Sequence, residues 1–200
     1  MRVLIACEFS QVVTRAFRDK GHEAYSCDIL PTEGNPEWHI QGDVLKHLDD
    51  GWDLMIAHPP CTYLSLMGAR WYSSDPTRLG KTREARTFFM KFINANIYRI
   101  CVENPLPIKL AKLPHYSQII HPRYFGDFGD KRTCLWLKNL PPLMSTYIYP
   151  IGERYVTKDG RKIGSKWFMD NFGNAHERSR SFPQIAQAMA TQWSEMLRRK

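Results

Sequence analysis

The chain has 200 residues, 43% hydrophobic and 24% charged, which is enough for one domain with its own core and unlike a low-complexity tract or a repeat array. Its apolar runs are only a handful of residues long, which excludes a helical membrane span, and the opening MRVLIACEFS reads as a first strand and not as a signal peptide. A net charge of +8 and a pI near 9.3 favour polyanionic partners; five cysteines with no CxxC pair suit a reducing cytoplasm and, together with the histidines, make no metal-ligand spacing.

In chain order, RVLIAC (2–7) is a short apolar strand, and residues 10–20 carry Val13, Ala16 and Phe17 at helical spacing, with Ser10 as the expected cap and Gly21 as the stop. HEAYSCDI (22–29) alternates and ends on an acid, completing a βαβ opening. Residues 30–43, rich in Pro, Gly and polar side chains, are expected to be mostly loop, followed by a short helix over 44–48. WDLMIAHP (52–59) is a buried strand, KTREARTFFMKFINA (81–95) an amphipathic helix, and YRICVENP (98–105) a strand stopped by proline. SQIIHPRYFG (117–126) and RTCLWLK (132–138) are expected to be neighbouring strands. Residues 140–182 read as an irregular, basic elaboration, and the closing helix places Ile185, Ala188, Met189, Trp193, Met196 and Leu197 on one face. This is a single α/β domain over 1–200, a mainly parallel, doubly wound sheet with helices on both faces.

Ligands of such sheets bind beyond the carboxyl ends of the strands. Those ends are Glu8-Phe9-Ser10, Asp28, His58-Pro59-Pro60-Cys61 and Glu103-Asn104-Pro105, so acids, an amide and a thiol converge on one edge. A cysteine alone there reads equally as a small packed residue behind a rigid turn.

A strand ending in Pro-Pro-Cys, followed one crossover later by a strand ending in Glu-Asn-Pro, resembles the Pro-Cys and Glu-Asn-Val motifs of the cytosine-5 DNA methyltransferases. The chain is also similar, through GDVLKHL, GWDLMIAHPPCTYLS, TCLWLKNLPPL and RSFPQIAQAMATQW, to short methyltransferase-like proteins of bacteriophages and prophages that lack a full target recognition domain. The resemblance implies a class I, Rossmann-like methyltransferase fold and methylation of cytosine carbon 5 in DNA through a covalent cysteine adduct. Cys61 is then the thiolate that adds to carbon 6, Glu103 the acid at ring nitrogen 3 and the exocyclic amine, Asn104 the holder of the neighbouring loop, and Arg132 a contact to the base carbonyl or a phosphate. The implied donor is S-adenosylmethionine, with Asp28 on the ribose hydroxyls, Asp43 near the adenine amine, and Phe9, Ser10 and Pro59 completing its site. The implied setting is the cytoplasm of a bacterial host, the gene belonging to a phage or prophage.

The chain departs from that pattern in two places. The first loop of the family is rich in glycine, whereas CEFSQVV has none; and only about 40 residues, 140–182, stand where a recognition region would be. The expected partner is DNA, with a dimer as one way to form a groove. The alternatives are the same chemistry on a free cytosine nucleotide or RNA, and a nucleic-acid-binding protein that keeps the fold without turnover.

Overall fold

The computed structural model describes residues 1–127, 131–148, 154–166, 170, 174 and 179–198. Seven strands, β1 (Arg2–Ala6), β2 (Glu23–Asp28), β3 (His39–Gln41), β4 (Leu54–Ala57), β5 (Arg99–Pro105), β6 (Gln118–Ile120) and β7 (Thr133–Lys138), form one sheet in the order β3-β2-β1-β4-β5-β7-β6. The first five are mutually parallel, and β7 runs antiparallel to both β5 and β6. An otherwise parallel sheet with a reversed strand inserted next to one edge is a Rossmann-like α/β fold. The chain winds outward from β1 to β3 and then returns to β4, so the order reverses between β1 and β4, and a crevice opens at their carboxyl ends.

Strands covered on both faces have to be apolar throughout, and β1 shows how the two faces are used. Val3 and Ile5 pack with Val13 and Phe17 of helix α1 (Val12–Arg18) and with Met189 and Trp193 of helix α3 (Pro183–Arg198). Leu4 and Ala6 pack on the other face with Phe89 and Phe92 of helix α2 (Arg78–Ile93) and with Trp136. The expected stripe of the last helix is the core stripe: Ile185, Ala188, Met189 and Trp193 are buried and Met196 half-buried, while the Leu197 side chain lies outside the described residues. No helix among the described residues is long and apolar enough to cross a membrane.

The stretch 30–43 is mostly loop, and within it His39–Gln41 adds to the β2 edge as β3. Three local expectations are corrected. The helix expected over 44–48 is a single 3-10 turn, Val44–Lys46, capped by the Asp43 side chain. Helix α2 begins at Arg78, ahead of the expected 81. The stretch 140–182 is not uniformly irregular, since β8 (Arg154–Val156) and β9 (Lys162–Ser165) form an antiparallel hairpin. The parts of that segment at 149–153, 167–169, 171–173 and 175–178, and the terminal 199–200, lie outside the described residues.

Trp193 is 1% exposed, and its Nε1 donates to the Pro141 carbonyl at 3.1 Å, tying α3 to the chain that follows β7. Trp193→Ala is expected to lower the unfolding free energy by about 3–5 kcal/mol in a denaturant titration. Trp71→Ala, at a 49% exposed site, is expected to change it by no more than about 0.5 kcal/mol.

Candidate active site

The stretch after β4 is shaped by where the sheet stops. The His58 N–H still donates to the Ala6 carbonyl at 2.9 Å, but Pro59 and Pro60 have no N–H to offer and the ladder ends. Pro59 is buried and Pro60 exposed. Cys61 then opens a tight turn, its carbonyl accepting the N–H groups of Leu64 (3.0 Å) and Ser65 (2.9 Å). Two further bonds, Leu66 N–H to the Leu106 carbonyl and Ile108 N–H to the Leu64 carbonyl, both 2.8 Å, stitch the segment after Cys61 to the segment after Glu103-Asn104-Pro105. The half-buried Cys61 is thus held by backbone on both sides.

Parallel pairing sets Ala57 beside Val102, so the next residues, His58 and Glu103, are neighbours across β4 and β5. His58 Nδ1 lies 4.0 Å from Glu103 Oε1, and His58 Nε2 is buried with no hydrogen-bond partner among the described residues. Burial alone would raise the Glu103 carboxyl; Lys131 and His58 outweigh it, and the net displacement is below the usual 4.5. Glu103 is therefore a carboxylate at neutral pH in the open cleft. Asn104 is fully buried, with Nδ2 donating to the Pro105 carbonyl at 2.5 Å and Oδ1 left without a partner among the described residues. Its hydrogen bond braces its own strand end, not the loop across from it.

Arg132 is exposed and does not line the cleft; Lys131, one residue earlier, does. In extended chain a shift of one residue exchanges the side that a side chain faces, and this decides which of two adjacent cations reaches Glu103.

The glycine-free loop solves its geometry in another way. Cys7 (φ 58°) and Gln11 (φ 57°) both take the left-handed conformation that glycine would adopt at little cost. Gln11 is fully buried and offsets that strain through its amide, which donates to Ser26 Oγ (3.1 Å) and the Asn35 carbonyl (2.8 Å) and accepts the Asn35 N–H (2.7 Å). Ser10 is buried, but it does not cap α1 and does not line the cleft. The cap is Glu8, 4% exposed, whose carboxylate accepts the N–H groups of Val13 (2.7 Å) and Thr14 (3.2 Å) and the Thr14 hydroxyl (2.7 Å). The end of α1 that would attract a ligand's carboxylate is filled by the chain's own.

These strand ends enclose a cleft of about 930 Å³ whose walls include Phe9, Asp28, Asp43, Pro59, Cys61 and Glu103. Asp28 uses Oδ1 to accept the Leu30 N–H (2.9 Å) and Asp43 uses Oδ1 to accept the Leu45 N–H (3.0 Å), so each has a second oxygen for a ligand. None of the five cysteines is in a disulfide. Burial and nearby acids push Cys27 up to about 12 and Cys134 up to about 11, and burial raises Cys7 and Cys101 as well. Cys7 also lines the cleft, yet its thiol is held protonated by burial and by Asp28. Cys61 is the remaining candidate nucleophile. Reading the sequence alone missed the roles of Glu8, Gln11, His58 and Lys131, although His58 and Glu8 stood in the quoted strand-end motifs.

No protein family and no curated protein matches the chain. Among solved structures it is similar to an Escherichia coli prophage-encoded chain named as a DNA modification methyltransferase, at 14% identity and a TM-score of 0.41 over 83% of this chain and 61% of that one. It is also similar to the Entamoeba histolytica methyltransferase EhMeth, at 13% identity and a TM-score of 0.42 over 80% and 62% of the two chains. The chain spans about three fifths of the length of each.

Replacing the cap by Glu8→Gln sets an amide NH2 against helix N–H donors and is expected to destabilise the protein by about 1–3 kcal/mol in a denaturant titration. For Glu103, whose folded pKa lies below its unfolded value, the ionised form adds stability above that unfolded value and loses it as pH falls. The stability gap between the wild type and Glu103→Gln is therefore expected to be largest above pH 4.5 and to shrink below it in pH-dependent unfolding.

Proposed function

We propose that the chain is an S-adenosylmethionine-dependent methyltransferase acting on carbon 5 of cytosine, in DNA or in a cytosine nucleotide. The observation that carries this reading is the convergence of Cys61 and an ionised Glu103 on one cleft at the switch point of the sheet. Carbon 5 of cytosine is a poor nucleophile, and addition of a thiolate to carbon 6 makes it an enamine. Cys61 Sγ forms that bond. Glu103 accepts from the exocyclic amine and shares with ring nitrogen 3 a proton taken up as the base binds, which neutralises the charge that addition places on the ring. Once carbon 5 has taken the methyl group, its proton passes to solvent, which expels the Cys61 thiolate and restores the ring.

The donor supplies an electrophilic methyl group when bound. Asp28 and Asp43, each with an oxygen to spare, suit its ribose hydroxyls and adenine amine, and Phe9 and Pro59 supply apolar contact. Its carboxylate has to be held away from the α1 N-terminus, because Glu8 occupies that end. Lys131 takes the place by the base expected of Arg132, whose exposed side chain, outside the cleft lining, suits a phosphate instead. The β8–β9 turn, with exposed Lys158 and Arg161, offers further phosphate contacts.

The filled helix end favours one second reading, a nucleic-acid-binding protein without turnover. Incubation with methyl-labelled S-adenosylmethionine and duplex DNA, single-stranded DNA or dCMP separates the two. Label is expected on cytosine in one of these acceptors and is expected to be lost in Cys61→Ala, with Glu103→Gln slowed by about 100-fold or more. Unchanged transfer by Cys61→Ala contradicts the nucleophile, and nucleic-acid binding with no label and no donor heat in calorimetry supports the second reading.

A further inference from the structure

Arg78, the first residue of α2, lines the cleft and is 6% exposed. Buried guanidinium groups are ordinarily matched by a carboxylate, since a charge taken out of water needs a partner. Arg78 makes no ion pair among the described residues. Its Nη2 donates to the Thr62 carbonyl at 2.8 Å, while Nε is buried without an acceptor. The rings of Tyr63 and Tyr72 cover the charge with centroids at 5.0 and 5.2 Å, but ring faces accept no in-plane hydrogen bond. The acid nearest in sequence, Asp75, is already engaged by Thr77 and by Lys81 at 3.4 Å. The chain also makes room for this group: a Cβ on Gly68 would meet Arg78 Nη2 at 2.2 Å and the Thr62 carbonyl at 2.8 Å.

Thr62 directly follows Cys61, so the guanidinium is anchored one residue from the candidate nucleophile. Charge in the cleft is divided accordingly. Asp28 ends β2 and Asp43 follows β3, Glu103 and Lys131 flank the β5 edge, and Arg70 and Arg78 follow β4. We propose that Arg78 is a phosphate-binding subsite, which takes the phosphate attached to the nucleotide whose base is presented to Cys61. This rests on the reading of the cleft as a cytosine site. The planar fork of arginine matches two phosphate oxygens, and the tyrosine rings hold it flat for that contact. A free nucleotide and a DNA strand both carry this chemistry, one as a monoester and the other as a diester.

The test is calorimetric, with deoxycytidine, dCMP and a short single-stranded oligonucleotide containing cytosine, titrated into the wild type, Arg78→Met and Arg78→Lys. The wild type is expected to bind one or both phosphorylated ligands about tenfold or more tighter than deoxycytidine. Arg78→Met is expected to abolish that preference, with Arg78→Lys retaining part of it. Preference for dCMP alone identifies a monoester subsite, and preference for the oligonucleotide alone a diester subsite. If Arg78→Met does not fold, the Arg78 Nε–H resonance of arginine-labelled wild-type protein replaces it, and is expected to shift with dCMP and not with deoxycytidine. A wild type with no phosphate preference, a preference that survives Arg78→Met, or an unmoved Nε–H resonance overturns the proposal. Methyl transfer is read separately: label on cytosine without phosphate preference removes the subsite alone, and phosphate preference without label removes the methylation reading alone.

Discussion

The pairing of β4 with β5 is the constraint on which the rest of the cleft depends. One register, Ala57 beside Val102, makes His58 and Glu103 neighbours, and the ladder must stop there because the next two residues are prolines. The chain turns at Cys61 on the same edge at which Glu103 emerges. The bonds from Leu66 to Leu106 and from Ile108 to Leu64 hold the two emerging segments together. A slip of one residue would turn Glu103 into the opposite face and leave Cys61 beside apolar side chains. Because both faces of β4 are apolar, the residue pattern alone does not fix this register; the proline stop and these bonds do.

Electrostatics then divides the cleft into parts with different tasks. Glu103 is kept ionised against its burial by Lys131 and His58, so the site rests with a carboxylate ready to accept. The thiols of Cys7, Cys27, Cys101 and Cys134 are held protonated by the low polarity around them. The acids after β2 and β3 suit hydroxyl and amine groups, and the cations after β4 suit an anion. The first loop trades the freedom of glycine for a buried, fully bonded Gln11, and closes the α1 N-terminus with Glu8. A donor bound in this cleft has to hold its carboxylate away from that helix end.

The strands that build the core were legible because burial on both faces leaves an unbroken apolar run, as in LIA of β1 and LMIA of β4. The α3 stripe was legible because its period is that of a helix packed on one side. The strand β3 was not, since three residues on a sheet edge carry too little pattern, and His39–Gln41 takes its conformation from β2. Ser10 looked like a cap by residue type, but the cap comes from Glu8, brought back by a left-handed turn that no propensity predicts. The strand-end rule put Cys61, Glu103 and Asp28 on one edge and the family resemblance added Asp43; all four line the cleft. The distinction between Lys131 and Arg132 depends on the direction each faces at the entry to β7, and the burial of Arg78 on packing by Gly68 and two tyrosines; both are tertiary facts.

In the proposed reaction Cys61 forms a bond to the cytosine ring during turnover. Cytosine carrying fluorine at carbon 5 cannot lose a proton there after methylation, so a covalent adduct persists. Mass spectrometry of the protein after incubation with S-adenosylmethionine and an oligonucleotide or nucleotide bearing 5-fluorocytosine reads this directly. A mass gain equal to the acceptor plus CH2 (one methyl group added, the thiol hydrogen lost), mapped to the peptide containing Cys61 and absent in Cys61→Ala, is the predicted result. Methylation of ordinary cytosine without any such adduct, or an adduct mapped to another residue, contradicts it.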